Sequence, residues 1–300
     1  MRQLPTIKQM QYFLALADTL HFGEAAKKCF VTQSTLSAGI RDLEIVLNLQ
    51  IAERTKRSVR LTSAGRDIVE RSRAIILQTT EMLEAASVGR ELLCGKMHLG
   101  IIPTIAPFLL PIALPIIRNK FPLLELVLIE DESANIVEGL QKGDLDAIVY
   151  ALPYLTVGLQ NMDLFEDEFY LTIPSNHKLA KRKSVQLSDF ADEEMLLLNH
   201  GHCLRDHALA VCSSIGHEQA RSFDGTSLHT IVQMVAGGIG VTLLPQMAVK
   251  SGIARHSDLT TIPVNNSVQA RTIALAWRKT SPRSADFTEL GSLLANSMTA

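Results

Sequence analysis

The amino-acid sequence predicts an α+β multi-domain chain, with a winged helix-turn-helix head, a long linker helix and a two-lobed α/β body. Three observations lead there. Residues 1–66 carry ten Lys and Arg against five Asp and Glu, while the remainder carries 19 against 26, so a small basic module precedes an acidic body. A helical apolar pattern without proline then runs from Ser63 to about Leu93. Beyond Lys96 short apolar runs alternate with helical stretches, the signature of an α/β unit. With 47% hydrophobic and 20% charged residues over 300 positions, the chain can bury two or three cores and is not a disordered polymer.

Apolar positions Leu4, Ile7, Tyr12, Leu14, Leu16 and Ala17 space a first helix. "HFGEAAKKCFVTQSTLSAGIRDLEIVL" predicts two more: a short one over 22–29, whose Ala25 and Ala26 admit a close neighbour, and a second capped by Thr32 or Ser34 after the turn "FVTQ". The second turns Leu36, Ile40 and Leu43 inward and Ser37, Arg41 and Asp42 outward. Two helices joined in this way form a helix-turn-helix arrangement. "IAERTKRSVRLTSAGR" adds two short strands about a basic turn, where Arg54, Lys56, Arg57 and Arg60 are able to meet phosphates. Each arginine taken singly reads best as a solvated surface charge; the helix pair with its wing is the more specific signal.

The 63–93 helix has one apolar stripe, carrying Ile68, Val69, Ile75, Ile76, Leu83, Ala86 and Val88, so it requires a partner, most simply its own copy in a dimer. "LLCGK" at 92–96 closes it. "MHLGII", "LELVLIE", "LDAIVYA", "FYLTIP", "MLLLN", "GVTLLP" and "TIALAW" read as strands, and 108–120, 133–142, 203–214 and "HTIVQMVAGG" as helices. The stretch "GIIPTIAPFLLPIALPII" is uncharged and long enough for a membrane span, yet Pro103, Pro107, Pro111 and Pro115 remove backbone hydrogen bonds that lipid does not replace. A strand ending near Pro103, an irregular turn and a buried helix fit better. The N-terminus lacks the apolar run of a signal peptide, and four cysteines (29, 94, 203, 212) are too few for a disulfide framework, which points to a reducing, cytoplasmic setting.

Three stretches then resemble the LysR-type transcriptional regulators: "YFLALADTLHFGEAAKKCFVTQSTLSAGIRDLE", "ERTKRSVRLTSAGR" and "MVAGGIGVTLLP". Within that family "GIIPTIAPFLLP", with "GHCLRD" and a second cysteine nine residues on, resembles the OxyR-type hydrogen peroxide sensors. The resemblance implies a DNA-binding domain over 1–62, a linker and dimerisation helix over 63–94, and a redox-sensing regulatory domain over 95–300 like the periplasmic binding proteins. Lobe I of that domain spans about 95–168 and 272–300, and lobe II about 169–271. It implies a homotetramer acting on promoter DNA and RNA polymerase, without cofactor, metal or membrane, and without enzymatic turnover. Thr32, Gln33, Thr35, Ser37 and Arg41 fall on its recognition helix and Arg54 on its wing. Ser34 stands where the family usually has proline, a change that a helix cap tolerates.

"HGHCLRDHALAVC", residues 200–212, admits four readings. Buried structural thiols are the commonest fate of a cysteine. A zinc site has ligand types enough, but the spacing matches no usual paired-ligand pattern. A hydrolytic Cys203 would need a base placed opposite it in space, and the adjacent His202 points elsewhere. A redox sensor uses all the residues: Cys203 at a helix start, where the dipole and free N–H groups favour the thiolate, Arg205 adding positive charge, and Asp206 orienting a bound polar molecule or pairing with the arginine. The resemblance implies Cys203 as peroxidatic thiol and Cys212 as resolving thiol, with Thr104, Ser133, His202 and Asp206 around the peroxide and Ser133 replacing a threonine. Thr104, as a residue alone, serves equally well as a helix cap. Nine residues of intact helix span about 13 Å, whereas a disulfide needs Cα atoms within about 7 Å, so the pairing requires the segment to reorganise. Cys29 and Cys94 read as structural. A LysR-type regulator answering an organic effector is the second reading, and a thiol peroxidase the third, disfavoured by the basic head.

Overall fold

The computed structural model describes residues 3–54, 58–86, 91–154, 157–199, 201, 203–205, 207–208, 220–222, 227–255, 257–265 and 270–299; of residues 54, 220–222 and 299 it describes the backbone alone. The chain divides into two compact units, Met1–Val88 and Gly89–Ala300.

The first unit is built on α1 (Ile7–Thr19), α2 (Phe22–Lys28) and α3 (Gln33–Leu47). Each begins on a side chain that accepts orphan N–H groups: Thr6 from Gln9, His21 from Gly23 and Glu24, and Thr32 from Thr35. Each is followed by a residue of left-handed backbone, at Leu20, Phe30 and Asn48. Tyr12, Phe13, Leu16, Ala25, Ala26, Leu36, Ile40 and Leu43 form the core. A Cβ at Gly39 would lie 2.7 Å from the Tyr12 ring, so α1 and α3 pack at a distance only glycine permits. The expected wing is present: β1 (Ala52–Arg54) pairs antiparallel with β2 (Val59–Leu61), Arg54 opposite Val59. Lys56 and Arg57 lie outside the described residues.

Next comes α4 (Ser63–Ala85), capped by Thr62 and packed so closely on the wing that a Cβ at Gly65 would meet the Ile51 carbonyl at 2.0 Å. Ile75, Met82 and Leu83 remain exposed along it. The apolar pattern extends the helix to about Leu93, whereas α4 ends at Ala85 and Leu93 belongs to the other unit. There Leu93 is buried in a left-handed turn and donates its N–H to Asp286 at 3.2 Å.

The second unit holds two main sheets. The first has the order β4 (Leu124–Glu130), β3 (Gly95–Ile101), β5 (Ala147–Leu152), β12 (Arg271–Arg278) and β6 (Leu159–Asp167). β3 runs parallel to β4 and β5, and β12 antiparallel to β5 and β6. The second sheet is antiparallel, with β7 (Phe169–Pro174) between β10 (Thr242–Pro245) and β11 (Leu259–Pro263). β8 (Met195–Leu197) and β9 (Ala220–Ser222) form a short parallel pair beside it. The chain passes between the two sheets at Glu168 and again between Pro263 and Arg271, which makes two lobes joined by two crossings.

Helices α5 (Ala106–Lys120), α6 (Ser133–Lys142), α7 (Leu228–Ala236), α8 (Gln246–Ser251) and α9 (Ser284–Thr299) cover these sheets. α5 continues through Pro111 and Pro115, whose side chains are exposed with that of Pro107, while Phe108, Leu109, Ala113 and Ile117 face the core. The unpaired carbonyls thus fall on the outer face, where water reaches them. Among the described residues no helix is long and apolar enough to cross a membrane. The edge strand β6 escapes a pattern search because polar residues dominate it and its pairing with β12 shifts register at Ile273/Ala274.

Candidate functional site

β3 and β4 are parallel neighbours with Ile101 opposite Glu130, so the residues just past them share one edge of the sheet. Such an edge, at the C-terminal ends of parallel strands, is where open α/β folds hold ligands. Thr104 follows β3 there, and Ser133 opens α6 after β4. Both are 2% exposed. Among the described residues the Ser133 Oγ has no hydrogen-bond partner, an uncommon condition for a buried hydroxyl.

Thr104 does not cap α5, whose start at Ile105 has no side-chain cap. Its Oγ1 accepts instead from Arg271 Nη1 at 3.0 Å, and its carbonyl from Nη2 at 3.1 Å. Arg271 also donates through Nε and Nη2 to one carboxylate oxygen of Asp167, at 3.0 and 2.9 Å. The other oxygen of Asp167 accepts the Met247 N–H at 3.0 Å. Arg271 and Asp167 are both buried, at the two places where the chain crosses between lobes. With the acceptor lone pair of Thr104 directed at the guanidinium, its hydroxyl proton is available to a molecule on the other side. Sequence reasoning missed Arg271 and Asp167; the available signal was a charged residue flanking an apolar strand, in "EDEFYLTIP" and "ARTIALAW".

Cys203 is a buried free thiol, the first described residue of a helical segment that also includes 204, 205, 207 and 208. Gly201 precedes it with φ of +105°, and a Cβ there would lie 2.1 Å from a carboxylate oxygen of Glu132. Glu132 is the residue before Ser133, so the turn leading to Cys203 rests on the start of α6. The left-handed backbone is what asks for glycine here; the carboxylate is the far end of a flexible side chain and is able to swing aside.

Arg205 is half-buried and donates through Nη1 to the Leu198 carbonyl at 3.1 Å; its Nε is buried without a partner among the described residues. With Leu204 and Ala208 it borders a cavity of about 10 Å³ that Leu197, Leu228, Ile231 and Leu243 also line. His202, Asp206 and Cys212 lie outside the described residues, and with them the separation of the two cysteines. Burial pushes the Cys29 thiol up, Lys28 offsetting part of the effect, so Cys29 is the poorer nucleophile that a structural role allows. Cys94 is half-buried just before β3.

On the first unit Thr32, Gln33, Thr35 and Arg41 are exposed at or along α3, and Ser37 is half-buried. The hydroxyl of Thr32 lies 2.9 Å from that of Ser34 and 2.8 Å from that of Thr35, so the serine joins the cap of the helix. Arg41 Nη1 donates to Ser37 Oγ at 3.2 Å, which pre-orients the guanidinium along the exposed face. A groove of about 590 Å³ lies elsewhere on this unit, lined among others by Ile7, Leu14, Ala15, Lys28 and Cys29.

Comparison with known proteins agrees with both halves of this arrangement. Residues 7–66 match the bacterial regulatory helix-turn-helix proteins of the lysR family, and residues 90–299 the LysR substrate binding domain. The HTH-type transcriptional regulator EstR of Acinetobacter baylyi is 38% identical over 287 residues, covering 96% of this chain and 95% of its own. The DNA-binding transcriptional dual regulator OxyR of Escherichia coli is 37% identical over 284 residues, covering 95% and 93%. A full-length OxyR variant from Pseudomonas aeruginosa superimposes with a TM-score of 0.79 at 34% identity, covering 98% of this chain and 97% of that one. The chain therefore belongs to the LysR family of DNA-binding transcription regulators, with a helix-turn-helix head and a LysR substrate binding domain.

Proposed function

We propose that this regulator senses hydrogen peroxide through Cys203 and, by that chemistry, switches its action on promoters of antioxidant genes. The observation that carries the reading is the buried free thiol of Cys203, two residues beyond a glycine turn that rests on the start of α6, where Ser133 holds a buried hydroxyl with no partner among the described residues. The thiolate attacks one peroxide oxygen, the O–O bond breaks, and hydroxide leaves to be protonated to water. The resulting sulfenic acid condenses with the Cys212 thiol, releasing a second water and forming the disulfide. Thr104, Ser133, His202 and Asp206 surround the peroxide, and Arg205 adds positive charge. Since an intact helix would hold Cys203 and Cys212 too far apart, the pairing reorganises their segment, and the subunits of a tetramer repack in consequence.

In this reading the protein is a regulator and not an enzyme, works in the reducing cytoplasm, and dimerises through α4, whose exposed Ile75, Met82 and Leu83 ask for a second helix. Promoter DNA meets Thr32, Gln33, Thr35, Ser37, Arg41 and Arg54, and RNA polymerase is the partner that the switch engages. The other reading is a LysR-type regulator that answers a small organic effector without thiol chemistry, which the match of residues 90–299 to the LysR substrate binding domain also accommodates.

The test is peroxide titration of the reduced protein, with thiol mapping by mass spectrometry and promoter binding followed in parallel. Cys203→Ser should abolish both the thiol chemistry and the change in binding. A Cys203→Ser protein that still responds to peroxide like the unsubstituted one sinks the proposal and leaves the effector reading.

A further inference from the structure

Phe30 is 95% exposed, the most exposed large apolar side chain among the described residues. It stands in the turn between α2 and α3 with φ of +55°. Its N–H donates to the Lys27 carbonyl and that of Val31 to the Ala26 carbonyl, both at 3.0 Å, the closure that ends a helix on a left-handed residue. Glycine or asparagine is the usual occupant of such a position, because a side chain there is strained. A phenylalanine neither relieves the backbone nor buries its ring. Leu20, in the same conformation after α1, is about half covered.

The ring has nothing to do for the isolated head, and its surroundings indicate what it meets. On α2 the exposed Lys27, paired with Glu24, and Lys28, paired with Asp18, precede it, and Thr32, Gln33 and Thr35 follow, exposed at the end of α3 that enters the groove of a duplex in helix-turn-helix proteins. Cations and a helix N-terminus suit phosphates, and the apolar component of a nucleic-acid backbone is its sugar.

We propose that Phe30 is a DNA-contacting residue whose ring packs on a deoxyribose of the bound duplex beside the N-terminus of α3 and fixes how that helix sits in the groove. Because the sugar is the same in every nucleotide, this contact adds affinity without sequence preference. Because the ring is uncharged, it leaves the number of released counterions unchanged.

The experiment uses the full chain and two substitutions that tolerate left-handed backbone, Phe30→Gly and Phe30→Asn. Binding is measured by fluorescence anisotropy over a salt series, with a duplex enriched by in vitro selection on the unsubstituted protein and a scrambled duplex of equal length. Thermal melting is recorded on the same samples. Both variants should bind both duplexes about tenfold more weakly, the effect of losing burial of roughly half a phenylalanine side chain. The salt slope should be unchanged, and the melting temperature should not fall. Unchanged affinity overturns the proposal, as does a loss matched by lowered melting in both variants, which makes Phe30 structural. A loss confined to the selected duplex overturns the sugar contact in favour of a base edge. Intact DNA binding with lost transcriptional activation overturns it in favour of a protein partner.

Discussion

Removing Arg271 tests the polar link between the lobes most directly. Arg271→Ala deletes two hydrogen bonds to Asp167 and two to Thr104 from a side chain that is 0% exposed, and leaves the Asp167 carboxylate, 2% exposed, with the Met247 N–H. Breaking a buried pair in this way costs about 3–5 kcal/mol, because the remaining charge can neither solvate nor neutralise cheaply. For a unit of this size that is a fall in melting temperature of roughly 10 °C. Replacing both partners with apolar residues of similar volume, Arg271→Met with Asp167→Leu, removes the stranded charge, so the double variant should recover most of the loss. Urea unfolding of the full chain, followed by tryptophan fluorescence at the buried Trp277, reports on this unit. The reasoning fails if Arg271→Ala costs less than about 1 kcal/mol, the range of an exposed pair, or if the double variant is no more stable than the single one.

Two further outcomes follow from the geometry around Cys203. Gly201→Ala places a Cβ on a left-handed backbone and should destabilise the unit by about 1–3 kcal/mol in urea unfolding, since the nearby Glu132 carboxylate is able to swing aside but the backbone strain stays. Adding Glu132→Ala should therefore return little of that loss, and full recovery would show that the backbone conformation carries no strain. Ser133→Ala removes a buried hydroxyl that has no partner among the described residues, so stability should hold within about 0.5 kcal/mol or rise. In stopped-flow thiol oxidation the same variant should react with peroxide several-fold more slowly, and an unchanged rate removes Ser133 from the proposed pocket.

The head was legible because its determinants are local. Thr32, three residues before the N–H it accepts, and Leu36, Ile40 and Leu43 at helical spacing declare α3 without reference to the rest of the chain. The strands of the body were legible where apolar runs mark them, as in β5 and β10, and not where an edge strand such as β6 stays polar. At the site, Cys203, Thr104 and Ser133 were chosen from the sequence through resemblance, and the structure supplies the setting: Thr104 held by Arg271, and Ser133 buried with no hydroxyl partner among the described residues.

What the sequence determines by itself is therefore the order of helices and strands, the basic head, the proline-bearing apolar segment that folds as a core-facing helix, and a cysteine near a helix start. All of these rest on side-chain periodicity and on capping within a few residues. The tertiary structure decides which polar groups are buried together. Arg271 and Asp167 are 104 positions apart, Arg271 and Thr104 are 167, and Gly201 meets a carboxylate on another element. Leu93, which the apolar pattern adds to α4, is likewise placed by a distant partner, its N–H donating to Asp286. Periodicity records which face of an element is apolar; pairing of buried charge depends on which faces meet, and only the folded chain brings those together.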